Sequence, residues 1–239
     1  MIVITTFYNA SKYIDKCIKS LIDQSFKDFK CFLIDDVSTD NSYSLVKGLI
    51  EGDDRFTLIK NDKKKYKTLN YISILNGNYD IDENDVVVEL DGDDWLSGPE
   101  SLSKINEIYS NENVWITNGS FVYSSGVMGF SSPQINFNSL RSDRFTATHL
   151  RTWRVFLWRK IKDEDHKDND GNFLKINADL GYMLPMLEMA GPEHYKFIPD
   201  TLLVYNEQNP LNDHKINMSL VNSCAFEIRF RSPYKRLKL

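Results

Sequence analysis

Residues 1–125 alternate between short apolar runs and segments whose apolar positions recur at helical spacing. Ile2–Thr5, Lys30–Ile34, Phe56–Ile59 and Val86–Leu90 are runs of strand length. Between them, Tyr13, Ile14, Cys17, Ile18, Leu21 and Ile22 fall on one helical face, with Ser11 placed to cap it. Leu45, Val46, Leu49 and Ile50 form a second stripe after Asp40 or Asn41. Leu69, Ile72 and Leu75 form a third within Tyr66–Leu75. Pro99 suits the first turn of a helix carrying Leu102, Ile105 and Ile108. Val114–Thr117 and Phe121–Tyr123 read as two further strands. Strands alternating with helices predict an α/β fold, a Rossmann-like, mostly parallel sheet flanked by helices.

The second half is less regular. Residues 125–147, rich in Gly, Ser, Pro and Asn, read as a long loop, and Thr148–Lys160 as an aromatic, basic helix. Residues 163–172, DEDHKDNDGN, read as a solvated loop. An EF-hand there fails, because Gly171 at the sixth loop position would put His166 first and Asn177 last. With no repeat and no low-complexity linker, residues 1–239 are expected to form one domain. Its parts are a ligand-binding half at 1–125, an acceptor-side half at 126–215, and a C-terminal helix with a basic tail at 216–239.

The chain has 239 residues, 41% hydrophobic and 26% charged, a balance that supports a sizeable core. A formal net charge of −5 excludes a bulk basic field for nucleic acid. Cys17, Cys31 and Cys224 lack metal-ligand spacing, and reduced core thiols favour a cytoplasmic location. MIVITTFYN has no basic leader, and no apolar run reaches the roughly 18 residues of a spanning helix. Any membrane contact is then peripheral. Phe226–Leu239, with five basic residues among apolar ones, is the segment suited to it, although a packed terminal helix fits as well.

Open parallel sheets bind ligands beyond the carboxyl ends of their strands. Thr6, Tyr8 and Asn9 follow the first strand, Asp35 and Asp36 end the second, and Asp91, Asp93 and Asp94 follow the fourth. A buried strand ending in three carboxylates is costly unless a cation compensates them. Gly92 permits a tight turn that aims those carboxylates at one point. Hard oxygen ligands suit Mg2+ or Mn2+.

TTFYNASKYIDKCIKSLIDQSFKDFKCFLIDDVSTDNS and LDGDDWL, about 55 residues apart, together resemble the family 2 glycosyltransferases of the GT-A fold. The resemblance covers the first 125 residues well and the rest loosely. It implies an inverting transferase that moves a sugar from a nucleotide-diphosphate sugar, usually a UDP-sugar, to an acceptor hydroxyl. The acceptor would be a glycan, a lipid-linked sugar or a protein. It also implies roles. Thr6 and Tyr8 would line the nucleotide pocket. Asp36 would accept from the base, supported by Asp35. Asp91, beside Gly92, would hold the donor sugar or ribose. Asp93 and Asp94 would bind Mn2+ or Mg2+, with the inner-sphere carboxylate left open. Within residues 62–70, Lys64 or Lys67 could meet the diphosphate, the alternative being a solvated helix face.

Such a transferase needs a base for the acceptor hydroxyl. Ile176–Gly191 matches the family segment that carries it, and Asp179 is the candidate. Ala178 stands where the family usually has Glu, and Glu188 lies too deep in the helix. A late-chain histidine often joins the metal in this fold, which makes His214 the candidate third ligand. Trp153 or Trp158 could stack on a sugar, the alternative being a core stripe. Two competing classes remain. A sugar nucleotidyltransferase should carry a Gly-rich phosphate loop after its first strand, and TTFYNASKY has no glycine. A non-catalytic nucleotide-sugar-binding module would not require the full carboxylate set.

Overall fold

A computed structural model describes every residue except Asp213, His214, Ile216 and Leu239. The strands are β1 (Ile2–Phe7), β2 (Lys30–Asp35), β3 (Phe56–Lys60), β4 (Val86–Glu89), β5 (Trp95–Leu96), β6 (Ile116–Tyr123), β7 (Thr152–Arg154) and β8 (Tyr195–Tyr205). They form one sheet of order β3-β2-β1-β4-β7-β6-β8-β5. β1, β2, β3 and β4 pair in parallel, as do β6 and β8. β7 and β5 run antiparallel to their neighbours. The helices are α1 (Ile14–Ile22), α2 (Ser42–Leu49), α3 (Tyr66–Leu75), α4 (Ser101–Tyr109), α5 (Val155–Arg159), α6 (Ala178–Ala190) and α7 (Met218–Arg229). This is the mostly parallel, helix-flanked sheet that the apolar pattern predicts.

β1, β2 and β4 are buried on both faces, so they read as continuous apolar runs rather than alternating ones. Strand parity still sorts the side chains. Ile2, Ile4, Phe32, Ile34 and Val87 pack with α3, α5 and α6, whereas Val3, Cys31, Leu33 and Val88 pack with α1, α2 and α4. On the first face Tyr71, Trp153, Trp158 and Tyr182 meet with ring centroids 5.4–6.5 Å apart, all fully buried. Each such ring removes about 150–250 Å2 from water. Trp153 and Trp158 are therefore core residues and cannot stack on a sugar.

Several local readings change. Thr148–Lys160 is not one helix: Thr152–Arg154 pairs with both β4 and β6, and only Val155–Arg159 is helical. Burial of both faces of this segment hides its period. The two strands read at 114–123 are one, β6, with register shifts against β8 between Gly119 and Phe121. β8 and β5 were not anticipated. The helix after Pro99 starts at Ser101, because the Pro99 carbonyl instead accepts from Ser25 N at 2.8 Å. Ser11 does not cap α1; its N–H donates to Asp40 Oδ2 at 3.1 Å. In α3, Leu69 and Ile72 are only partly buried, and Tyr71, Ile74 and Leu75 face the core.

Candidate active site

The carboxyl ends of β1, β2 and β4 open into two adjoining depressions. The larger, about 590 Å3, is lined by Thr6, Tyr8, Asp36, Lys64 and Asp93 among others. The smaller, about 250 Å3, is lined by His149, Arg151, Lys175, Asp179 and Tyr205 among others. Lys67, Asp91, Lys175 and Asn212 line both, so Lys67 and Asp91 belong to the wall the two depressions share. The structure brings Thr6, Tyr8, Asp36, Lys64, Lys67, Asp91 and Asp93 into one depression and Asp179 into the adjoining one, whereas Asp35, Gly92 and Asp94 line neither.

Asp36 is buried and engaged. Its Oδ1 accepts from Asn61 Nδ2 at 2.9 Å and Lys65 N at 2.8 Å, and its Oδ2 from Tyr66 N at 2.9 Å. It thereby satisfies backbone donors at the start of α3, where Tyr66 has φ 57°. An ionised carboxylate offers about four acceptor positions, so one remains for a ligand N–H. Asp35 Oδ1 accepts from Ser38 N at 2.9 Å, while its Oδ2 is buried with no partner among the described residues. Val37, which follows them, has φ 70°, a strained value for a β-branched residue. Lys64 Nζ sits 3.0 Å from the centroid of the Tyr8 ring and 3.8 Å from Asp36 Oδ2.

Gly92 has an ordinary φ, so its role differs from a left-handed turn. Its N–H donates to Thr6 O at 3.1 Å, and a Cβ there would lie 2.5 Å from Phe7 Cβ. Only glycine lets the acidic turn close onto β1. Asp93 Oδ2 then accepts from Asn209 Nδ2 at 2.7 Å, and Asp94 Oδ1 from Asn206 N at 2.8 Å. Asp94 Oδ2 is buried and has no hydrogen-bond partner among the described residues.

One oxygen each of Asp91 and Asp94 and one ring nitrogen of His149 lie within 4.8 Å of one another. Burial, then Asp93 and Asp91, push Asp94 well above the usual carboxylate range; burial and Asp91 raise Asp93. Burial, then Arg151, hold His149 well below an ordinary histidine, in the neutral form that ligates metals. Two carboxylates, one of them with an orphaned buried oxygen, and a neutral imidazole fit a divalent cation. His149 was missed in the sequence because no ligand spacing marks it. His214, the ligand read from the sequence, lies outside the described residues.

Behind the cleft runs a chain of ion pairs. Lys67 Nζ is 2.7 Å from Asp91 Oδ1 and 2.8 Å from Glu89 Oε1. Arg151 Nη1 donates to Glu89 Oε1 at 2.8 Å, and its Nη2 to Asp179 Oδ2 at 2.5 Å. Burial alone would raise the Glu89 carboxyl, but Lys67 and Arg151 override it and hold Glu89 below its ordinary range. Asp179 is 31% exposed, enough to meet a ligand, and among the described residues its Oδ1 accepts no hydrogen bond. Asn177 precedes α6 with φ 52° and turns the chain so that Asp179 opens that helix. Glu188 is taken by Arg141 at 2.5 Å, elsewhere on α6.

An acidic turn at the carboxyl edge of a doubly wound sheet occupies the position where α/β folds of this kind bind ligands. Residues 2–174 match Glycosyl transferase family 2, and the chain belongs to that family. It is 35% identical over 116 residues to a GalNAc(5)-diNAcBac-PP-undecaprenol beta-1,3-glucosyltransferase of Campylobacter jejuni, covering 46% of this chain and 35% of that protein. It is 26% identical over 121 residues to an uncharacterized glycosyltransferase of Haemophilus influenzae, covering 51% of this chain and 46% of that one. The chain thus spans less than half the length of these curated relatives. Among solved structures, S. aureus TarS 1–349 in complex with UDP-GlcNAc superposes with a TM-score of 0.65 at 15% identity, over 87% of this chain and 58% of TarS. The mannosyltransferase PcManGT of Pyrobaculum calidifontis, in complex with GDP-Man and Mn2+, gives 0.65 at 18% identity, over 98% of this chain and 65% of that one. At these identities the likeness is one of fold, the GT-A arrangement.

Proposed function

We propose that this protein is a glycosyltransferase that moves a sugar from a nucleotide-diphosphate sugar to an acceptor hydroxyl. The observation that carries the reading is the shared wall of Lys67 and Asp91. It sets a nucleotide-sized depression with Asp36 and the acidic turn directly against a second one with Asp179. The family match and the nucleotide sugars in the two solved neighbours support a nucleotide-sugar donor. The choice of a UDP-sugar and of inversion rests on the family resemblance.

In this reading Thr6, Tyr8 and Asp36 hold the nucleotide, Asp36 through its one remaining acceptor position. Asp91, next to Gly92, faces ribose or sugar, and Lys64 and Lys67 bring positive charge towards the diphosphate. Asp91, Asp94 and His149 would hold Mn2+ or Mg2+, with Asp93 beside them in the same acidic turn. When bound, the ion offsets the negative charge that develops on the leaving diphosphate. Asp179 takes the acceptor hydroxyl's proton at Oδ1, while Arg151 fixes the carboxylate through Oδ2. The acceptor, whether glycan, lipid-linked sugar or protein, enters the smaller depression. No helix among the described residues is long and apolar enough to cross a membrane.

A second reading has one observation behind it. Arg151 engages Asp179 Oδ2 in an ion pair at 2.5 Å, a contact that a module binding nucleotide sugars without transfer could equally use to order the cleft. A thermal-shift panel of UDP- and GDP-sugars with and without Mn2+, followed by assay of nucleotide release, separates the two. Stabilisation by one donor with release of its nucleotide supports transfer. Stabilisation without release supports the binding module, and no stabilisation removes the nucleotide-sugar reading.

A further inference from the structure

Glu89 is the last residue of β4, after three valines, and is 1% exposed. Strand parity puts it on the side of Val87, facing α3 and α6. A carboxylate there is costly, and an apolar residue of similar size would serve stability at least as well. Its three side-chain partners come from three different elements: Lys67 from α3 at 2.8 Å, Arg151 ahead of β7 at 2.8 Å, and Tyr182 from α6 at 2.5 Å. Each of those segments also carries or adjoins a residue of the cleft: Lys67 itself, His149 and Asp179.

We propose that Glu89 is a positioning residue that couples the donor depression to the acceptor depression by sharing its charge between Lys67 and Arg151. The order along the chain of pairs is Asp91, Lys67, Glu89, Arg151, Asp179: three carboxylates and two cations. With Glu89 present, neither cation depends solely on its functional carboxylate. Without that charge, Lys67 falls back on Asp91 and competes with a metal ion there. Arg151 falls back on Asp179 and clamps the base. One buried residue that touches neither substrate thus sets both ends of the site. Tyr182 and the backbone bond from Glu89 N to Arg151 O, 3.1 Å, keep it from turning away.

The inference rests on the transferase reading, so the test has a binding arm and a turnover arm. The binding arm is Mn2+-dependent UDP affinity by calorimetry. The turnover arm is nucleotide release from whichever UDP- or GDP-sugar stabilises the wild type most. Glu89→Gln should raise the half-saturating Mn2+ concentration and lower kcat, each on the order of 10- to 100-fold, in protein that still unfolds cooperatively. Arg151→Gln should lower kcat without raising the half-saturating Mn2+ concentration, because Glu89 then pairs with Lys67 alone and leaves Asp91 freer for the ion. The double variant should be no worse in kcat than the poorer single variant, as expected when one residue acts through the other. A folded Glu89→Gln protein with wild-type Mn2+ dependence and kcat overturns the proposal and leaves the transferase reading standing. So does a double variant whose losses multiply. If Glu89→Gln does not fold, Tyr182→Phe removes one anchor of Glu89 and should shift both readouts the same way, less strongly; no shift overturns the proposal. If the wild type binds UDP with Mn2+ but turns over no donor, the transferase reading fails and the binding arm alone decides for Glu89. A wild type that binds neither UDP nor GDP with Mn2+ overturns both.

Discussion

Asn209 donates its side-chain amide to Asp93 Oδ2 at 2.7 Å, tying the segment after β8 to the acidic turn after β4. Asn206 does the same for Asp94 through its backbone N–H at 2.8 Å. Residues more than a hundred positions apart therefore hold the carboxylates in place. Asp94→Asn and His149→Gln should each lower Mn2+-dependent UDP affinity by roughly 10-fold or more, and Asn209→Ala by less, since it removes only an outer contact. Calorimetry with UDP, with and without Mn2+, checks the order. Wild-type affinity that does not respond to Mn2+ would remove the metal assignment.

Asp179→Asn keeps the shape of the side chain and its contact partner but removes its basicity. UDP binding with Mn2+ should stay within a few-fold of wild type, while kcat for transfer falls by about 10^2–10^4. The separation of the two readouts matters, because loss of both would point to misfolding around Arg151. Full transfer by the variant would move the base to another residue.

The carboxyl edge of the sheet was legible in the sequence because parallel strands leave apolar runs and the ends of those strands leave polar punctuation. Asp35, Asp36, Asp91, Asp93 and Asp94 all sit at such ends. The acceptor side was not. β8 carries Pro199 and is largely half-exposed, so its run looks like a loop. His149 precedes a three-residue strand in an aromatic, basic stretch without ligand spacing. Glu89 was hidden inside a strand, where sequence gives no sign that three partners converge on it. Gly92 was read as permitting a tight turn, and the Asp94 N–Asp91 O bond at 3.0 Å closes one there; the close approach to β1, which also demands glycine, was not legible.

Gly92→Ala tests that close approach. The added methyl would meet Phe7 Cβ at 2.5 Å and Thr6 O at 3.1 Å, so β1 and the acidic turn must separate. Overpacking of this kind costs about 1–3 kcal/mol, which is a Tm loss of roughly 2–12 °C for a chain of this size. Mn2+-dependent UDP binding should weaken as well, because Thr6 and Asp91 flank the contact. An alanine variant with wild-type Tm and affinity would show that the turn has slack.

His166 gives the protein an acid-sensitive joint away from the cleft. It is 4% exposed, and its ring lies 4.7 Å from that of Trp158. Burial lowers it to about 4 from an ordinary 6.5, although Asp163 and Asp165 pull the other way. The unfolded chain therefore binds this proton more readily than the folded one between those values. The sign follows: the contribution is complete above pH 6.5 and is lost as pH falls through 4, up to roughly 3 kcal/mol. Thermal denaturation from pH 8 to pH 4 should show a steeper loss of Tm below pH 6.5 in the wild type than in His166→Gln. The comparison cancels His149, which is also held neutral by burial but is present in both proteins. Parallel Tm curves would mean that the ring takes up its proton without leaving its site, with Asp163 and Asp165 absorbing the charge.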